Sequence, residues 1–132
     1  MPSGYSGSPL GKKLGLKDGF RVSSQGMPED VLAEIESYGA ATIAAFVDLD
    51  LMHVFVTERA YLAERVVAGR HLIRPAGMIW ASWPKKASKV ATDITEDTIR
   101  EIALPLGLVD VKVCAVNEVW SGLKLVIRKE LR

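Results

Sequence analysis

The stretch Gly77-Met-Ile-Trp-Ala-Ser-Trp-Pro-Lys-Lys-Ala-Ser-Lys89 contains an apolar run, Met78 to Ser82, with Pro75-Ala-Gly77 before it and Pro84 after it. An apolar run this short between turn signals reads as a buried strand that stops at Pro84. A strand buried on both faces belongs to a mostly parallel sheet covered by helices on either side. In such sheets ligands bind in the crevice beyond the carboxyl ends of the strands. Trp83, Lys85, Lys86 and Lys89 are expected to project there, where three lysines can hold an anion. The competing reading is a solvated lysine loop with Trp83 packed on the core.

Outward from that stretch, length and composition narrow the class. A chain of 132 residues suits one domain, large enough to bury about two-thirds of its unfolded surface without staples. With 48% hydrophobic and 25% charged residues it reads as globular rather than disordered. Seventeen basic against sixteen acidic residues leave a net charge of +1, so no global field recruits nucleic acid or an acidic membrane. Cys114 is the only cysteine, which rules out an internal disulfide and a multi-cysteine metal site. Its apolar setting, Val111-Lys-Val-Cys-Ala-Val116, predicts a buried, inert thiol. No apolar run approaches the ~20 residues of a membrane span, and the N-terminus carries no hydrophobic signal core. A cytoplasmic protein is the expectation.

Residues 1–19 read as an N-terminal arm and 20–132 as a single α/β domain. Met1 to Pro9 is rich in Gly, Ser and Pro, with Tyr5 as its one anchor, and Leu10 to Leu16 has the spacing of one helical turn. Asp18-Gly19 turns the chain into a strand, Phe20 to Ser24. Gln25-Gly-Met-Pro28 then enters a helix with Glu29 and Asp30 in its first turn, a stripe of Val31, Leu32 and Ile35, and Gly39 as its stop. A dinucleotide fingerprint needs G-x-G-x-x-G at this turn, and only Gly26 is present. Pro28 also removes a backbone donor, so no phosphate or adenosyl cofactor grip is expected here, and no cofactor or metal is expected elsewhere.

Thr42 to Val47 and Leu51 to Val56 are strand-like and separated only by Asp48-Leu-Asp50. Either the first strand is very short and loops back, which is favoured, or the two form a hairpin. His53 lies inside the second and reads as a core or face histidine, because no second ligand sits at metal spacing. Thr57 is expected to cap a helix from Glu58 to Gly69, with Gly69 as its stop. Arg65, Arg70, His71 and Arg74 at its end read as structural or surface charges. Asp93 or Thr95 should cap the next helix, which runs to about Leu106 before Gly107. Leu108 to Val116 and Leu123 to Arg128 complete the chain as a hairpin covered by Trp120.

The predicted architecture is α/β: a three-layer, Rossmann-like, mostly parallel sheet with a C-terminal antiparallel hairpin. That order resembles a trimmed form of the S-adenosylmethionine-dependent methyltransferases, which also end in an antiparallel pair, although their glycine-rich cofactor motif has no counterpart here. Tyr5-Ser-Gly-Ser-Pro-Leu10, Trp83-Pro-Lys-Lys-Ala-Ser-Lys-Val90, Thr92-Asp-Ile-Thr-Glu-Asp97, Leu104-Pro-Leu-Gly-Leu-Val-Asp110 and Trp120-Ser-Gly-Leu123 also resemble a bacterial family of unknown function. That resemblance implies an independent domain and brings no catalytic residues with it.

Function is expected at the lysine edge. The favoured reading is a non-catalytic binding or regulatory module in which Trp83, Lys85, Lys86 and Lys89, with Tyr5 folding over, receive an anionic small molecule or an acidic protein segment. The alternative is a small transferase-like enzyme using Ser82, Ser88 or Asp93 as polar groups; against it stands the absence of a paired base and nucleophile. A structural homodimer burying an edge strand such as Leu123 to Arg128 is the third reading.

Overall fold

The computed structural model describes residues 8–132, so Tyr5 lies outside the described residues. In chain order the elements are α1 (Leu10–Leu14), β1 (Phe20–Gln25), α2 (Glu29–Tyr38), β2 (Thr42–Ala44), β3 (Leu49–Phe55), α3 (Arg59–Leu72), β4 (Ile73–Pro84), α4 (Glu96–Ala103), β5 (Leu108–Ala115) and β6 (Trp120–Ile127), with a short 3-10 turn at Lys86–Ser88. The strands form one six-stranded sheet in the order β2-β1-β3-β4-β6-β5. β2, β1, β3 and β4 run parallel, and β6 is antiparallel to both β4 and β5. This is the mostly parallel sheet with a C-terminal antiparallel hairpin that the sequence predicts.

Strand alternation divides the core in two. On one face Met52, Val54, Ile79, Leu123 and Leu125 pack under Leu62 and Val66 of α3 and Ile99 and Ala103 of α4. On the other, Leu51, Phe55 and Trp80 pack under Leu10 and Leu14 of α1 and Val31 of α2. Trp80 is fully buried, and its indole N–H donates to the carbonyl of Leu14 at 3.0 Å. That bond ties α1 to the central strand.

Several expectations change. β4 is 12 residues long rather than a short run. Its register with β3 jumps from Leu49↔Ile73 to Leu51↔Met78, so Pro75 and Gly77 sit in a bulge inside the strand rather than in front of it. α3 does not stop at Gly69, which is an interior contact point: a Cβ there would lie 2.7 Å from the sulfur of Met52 and 2.9 Å from Cδ1 of Ile79. Nor does Thr57 cap α3; the N-cap is Glu58, and Asp93, from the far side of β4, accepts the Arg59 N–H at 2.7 Å. Thr95 caps α4, in a reciprocal capping box with Thr98. The edge strands are β2 and β5, whereas the segment singled out for dimerisation lies mostly in β6, between β4 and β5.

The tight link from β2 to β3 resolves in favour of the short strand. β2 has three residues, and the chain then crosses β1, held by Ala45 N–H to the Val22 carbonyl (3.1 Å) and by the Arg21 guanidinium to the Val47 carbonyl (3.0 and 3.1 Å). β2 therefore ends level with Val22 and never reaches the carboxyl edge of the sheet.

Candidate functional site

The carboxyl ends of β1, β3 and β4, at Gln25, Phe55 and Pro84, form the edge where a parallel sheet presents ligand sites. Beyond β4, the Lys85 N–H bonds to the Val119 carbonyl at 2.7 Å, fixing the strand end, and the chain turns through Lys86–Ser88. Lys89 closes that turn in the left-handed region, at φ +61°, a conformation that costs a residue with a side chain about 1 kcal/mol. The turn and the start of α4 enclose a crevice of about 560 Å³ walled by Trp83, Lys86, Lys89, Thr92, Thr95 and Glu96 among others. The structure thus brings Trp83, Lys86 and Lys89 together. Trp83 is 8% exposed, with its body in the α3/α4 core, while both lysine side chains reach solvent. Lys85 is half-buried and not part of this wall.

Charges of both signs border the crevice. Glu96 on the wall is bound by Arg100 at 2.8 Å, and Arg100 also pairs with Asp97 (3.0 Å) and Asp110 (3.1 Å). Asp93 is engaged at the start of α3. Arg100 thus serves three carboxylates with a single positive charge, and neither Lys86 nor Lys89 makes an ion pair among the described residues. The neighbouring hollow beyond β3, about 440 Å³ and lined by Thr57, Glu58, Tyr61 and Glu64, is acidic instead.

The polar groups considered for catalysis are not available in the crevice. Ser88 donates to the Lys85 carbonyl at 2.6 Å and accepts from Val90 N–H at 3.2 Å. Ser82 is fully buried inside the sheet, with its hydroxyl 2.7 Å from Nε2 of His53. His53 is the residue whose surroundings the sequence leaves hidden. Its alternation with Leu51 and Phe55 places it on the α1/α2 face, but only the fold shows a fully buried ring stacked on Phe55 at 4.3 Å, with Nδ1 lacking a partner among the described residues. Burial drives its pKa down to about 3, so the ring is neutral. An orphaned polar atom of this kind costs about 1–3 kcal/mol. Cys114 is half-buried and its thiol is pushed up, chiefly by burial. Among the described residues no group of three His, Cys, Asp or Glu can hold a metal ion, and no helix is long and apolar enough to cross a membrane.

At the turn between β1 and α2, Gly26 has φ +72°, and a Cβ there would lie 3.0 Å from the Phe55 carbonyl oxygen and 3.4 Å from the Phe55 Cβ. The space this glycine opens is filled by β3. The adjoining start of α2 carries Glu29 and Asp30, and Asn117 donates to Asp30 at 3.0 Å.

No family model and no curated protein matches the chain. Solved structures do. A SAM-dependent methyltransferase from Aquifex aeolicus superposes with a TM-score of 0.61 at 12% identity, over 89% of this chain and 87% of that one. The fold is the Rossmann-like methyltransferase fold. Magnesium protoporphyrin IX methyltransferase from Synechocystis gives 0.58 at 13% identity, over 90% and 74% of the two chains. Aeropyrum pernix fibrillarin, in a complex with S-adenosyl-L-methionine, gives 0.55 at 13% over 90% and 69%. These neighbours bear out the resemblance in topology to the S-adenosylmethionine-dependent methyltransferases, and they correct the description of the chain as one of unknown function, because its fold is shared with enzymes of named activity. Identities this low establish the fold alone.

Proposed function

We propose that this chain is a small transferase-like enzyme that grips an anionic metabolite in the crevice beyond β4, with Lys86 and Lys89 as the charged contacts and Trp83 as the floor. The observation that carries the reading is the pair of exposed, unpaired lysines on the wall of a crevice at the carboxyl edge of a methyltransferase fold. The neighbours' fold moves the weight from a non-catalytic module toward a transferase. Ammonium groups act there as point charges for a phosphate or carboxylate, and α4 directs its positive end toward the same wall.

The group this fold family uses, S-adenosylmethionine, does not fit the glycine turn. The space beside Gly26 is occupied by Phe55, the start of α2 carries its own carboxylates, and β2 ends before the edge. No step of a reaction is therefore derived through it. This misfit is the specific observation favouring the second reading, a binding module that keeps the fold without the donor site.

Calorimetric titration separates the two. Phosphorylated and carboxylated metabolites are expected to bind, and the Lys86→Ala, Lys89→Ala double variant to weaken them about tenfold or more, since each lost charge contact is worth on the order of 1 kcal/mol. Unchanged affinity in the double variant removes the lysine crevice from consideration. S-adenosylmethionine titrated into the same protein tests the donor: saturable binding overturns the misfit and supports the transferase reading, and no binding beside metabolite binding supports the module.

A further inference from the structure

We infer that the α1 side of the C-terminal hairpin carries a separate anion site, in which Lys17, Lys112 and Lys124 receive the phosphate of a phosphate monoester or a diphosphate. Lys124 lies between Leu123 and Leu125, which pack on the α3/α4 side, so its own side chain leaves the sheet on the α1 side. Lys112 stands directly opposite Lys124 across β5 and β6, and directly opposed residues share a face. The Lys112 ammonium agrees with that placement, since it donates to the Lys13 carbonyl of α1 at 3.0 Å. Lys13, only 8% exposed, donates in turn to the Ala115 carbonyl of β5 at 2.8 Å. Lys17 follows α1 after its left-handed stop at Gly15, and its charge acts on Lys124.

These positive charges gather without a countercharge. None of Lys13, Lys17, Lys112 and Lys124 forms an ion pair among the described residues. Lys17 and Lys124 make no side-chain hydrogen bond among them either. Asp18, next to Lys17, accepts from the Ala41 N–H at 2.8 Å, and Asp110 is held by Arg100 on the α4 side. Like charges directly opposite each other on a sheet are destabilising. Lys124 registers this repulsion: burial first, then Lys112 and Lys17, push its pKa below that of an ordinary lysine. A bound dianion turns the repulsion into attraction.

The choice of phosphate follows from donor and charge accounting. Lys17 and Lys112 are exposed and Lys124 is half-buried, so all three are open to solvent. An ammonium has three donors and Lys112 commits one to α1, which leaves N–H groups of all three lysines for a ligand. One carboxylate neutralises one of these charges, whereas a phosphate monoester brings about two charges and three acceptor oxygens. Lysines act on such a group as point charges, without the planar geometry that an arginine fork imposes. No lysine of this cluster borders the crevice beyond β4, so the two sites stand or fall separately.

The test uses inorganic pyrophosphate as the probe, titrated by calorimetry at about 0.15 M salt, where weak exposed contacts are screened. The titrations are made in the Lys86→Ala, Lys89→Ala background, so that the result does not depend on the crevice. Pyrophosphate is expected to bind saturably there, and the further changes Lys17→Gln and Lys124→Met to weaken it about tenfold or more. Lys124→Met alone keeps the length of the side chain and removes the repulsion, so it should raise the thermal midpoint of the free protein. In the wild-type chain the side-chain resonances of Lys124 should move as pyrophosphate is added. No saturable binding, or an affinity unchanged by the hairpin substitutions, overturns the inference. A lowered midpoint in Lys124→Met also counts against it, since Lys124 would then hold the hairpin together. The resonance is read on the wild-type protein, so Lys124 unmoved at saturating pyrophosphate overturns the inference even where a variant fails to fold.

Discussion

The two faces of the sheet are built differently. On one, α3 runs for 14 residues with Leu62, Val66 and Gly69 buried. The missing side chain at Gly69 lets the helix lie directly on Met52 and Ile79. On the other face α2 buries only Val31 completely and leaves Leu32 at 46% exposure. Between it and β1, β2 and β3 lies a cavity of about 270 Å³, bordered by Leu14, Val22, Ile35 and Leu51 among others. A helix approaches a sheet as closely as its contact residues permit, and a contact glycine decides between a sealed layer and a ligand-sized void.

The largest effect that would break this comparison comes from equivalent truncations on the two faces. Leu62→Ala should cost about 3 kcal/mol, because it opens a cavity among fully buried side chains. Ile35→Ala should cost only about 1 kcal/mol, because the half-buried side chain already borders empty space. Urea unfolding measures both, and equal losses would show that the two faces are packed alike.

A smaller effect comes from pH. The folded-state pKa of His53 lies near 3, below the value of 6.5 for an exposed histidine, with burial as the cause. The unfolded chain therefore binds the proton first as pH falls. Stability is complete above about pH 6.5 and falls by up to about 1.4 kcal/mol per pH unit between there and the folded pKa. His53→Phe should flatten that part of the profile, in unfolding curves recorded from pH 7 to pH 5. A profile equally steep in the variant would assign the acid sensitivity to other groups.

The smallest effect is expected on the open edge. Lys86→Ala with Lys89→Ala should change stability by less than about 0.5 kcal/mol, since both residues are exposed and unpaired. A larger loss in thermal unfolding would mean that the lysines hold the turn rather than await an anion.

Much of the architecture is legible from local pattern. The helix of Glu29–Tyr38 with Gly39 beyond it, the capping Thr95, and the C-terminal hairpin follow from caps, stops and alternation, and each forms near its predicted place. Gly69 shows where that logic runs out, because a glycine ends a helix by its backbone freedom but sits inside one when another element needs the room. Asp93 shows the same for caps: its carboxylate serves a helix 34 residues earlier in the chain. For the candidate site, the carboxyl-edge rule puts Trp83, Lys86 and Lys89 on one wall. The pairing of Glu96 with Arg100 rather than with Lys86 or Lys89 depends on a helix start that only folding brings near them.

By itself the sequence determined what short-range physics controls: the order of strands and helices, the single domain's worth of apolar residues, and the lack of a glycine-rich cofactor turn. Tertiary structure alone decided which empty spaces survive packing. The volume beside Gly26 is taken by Phe55, a volume beneath α2 is left open, and the lysine loop borders a crevice that it shares with Glu96. Each outcome depends on how closely residues distant in sequence approach one another, and no local propensity encodes that distance.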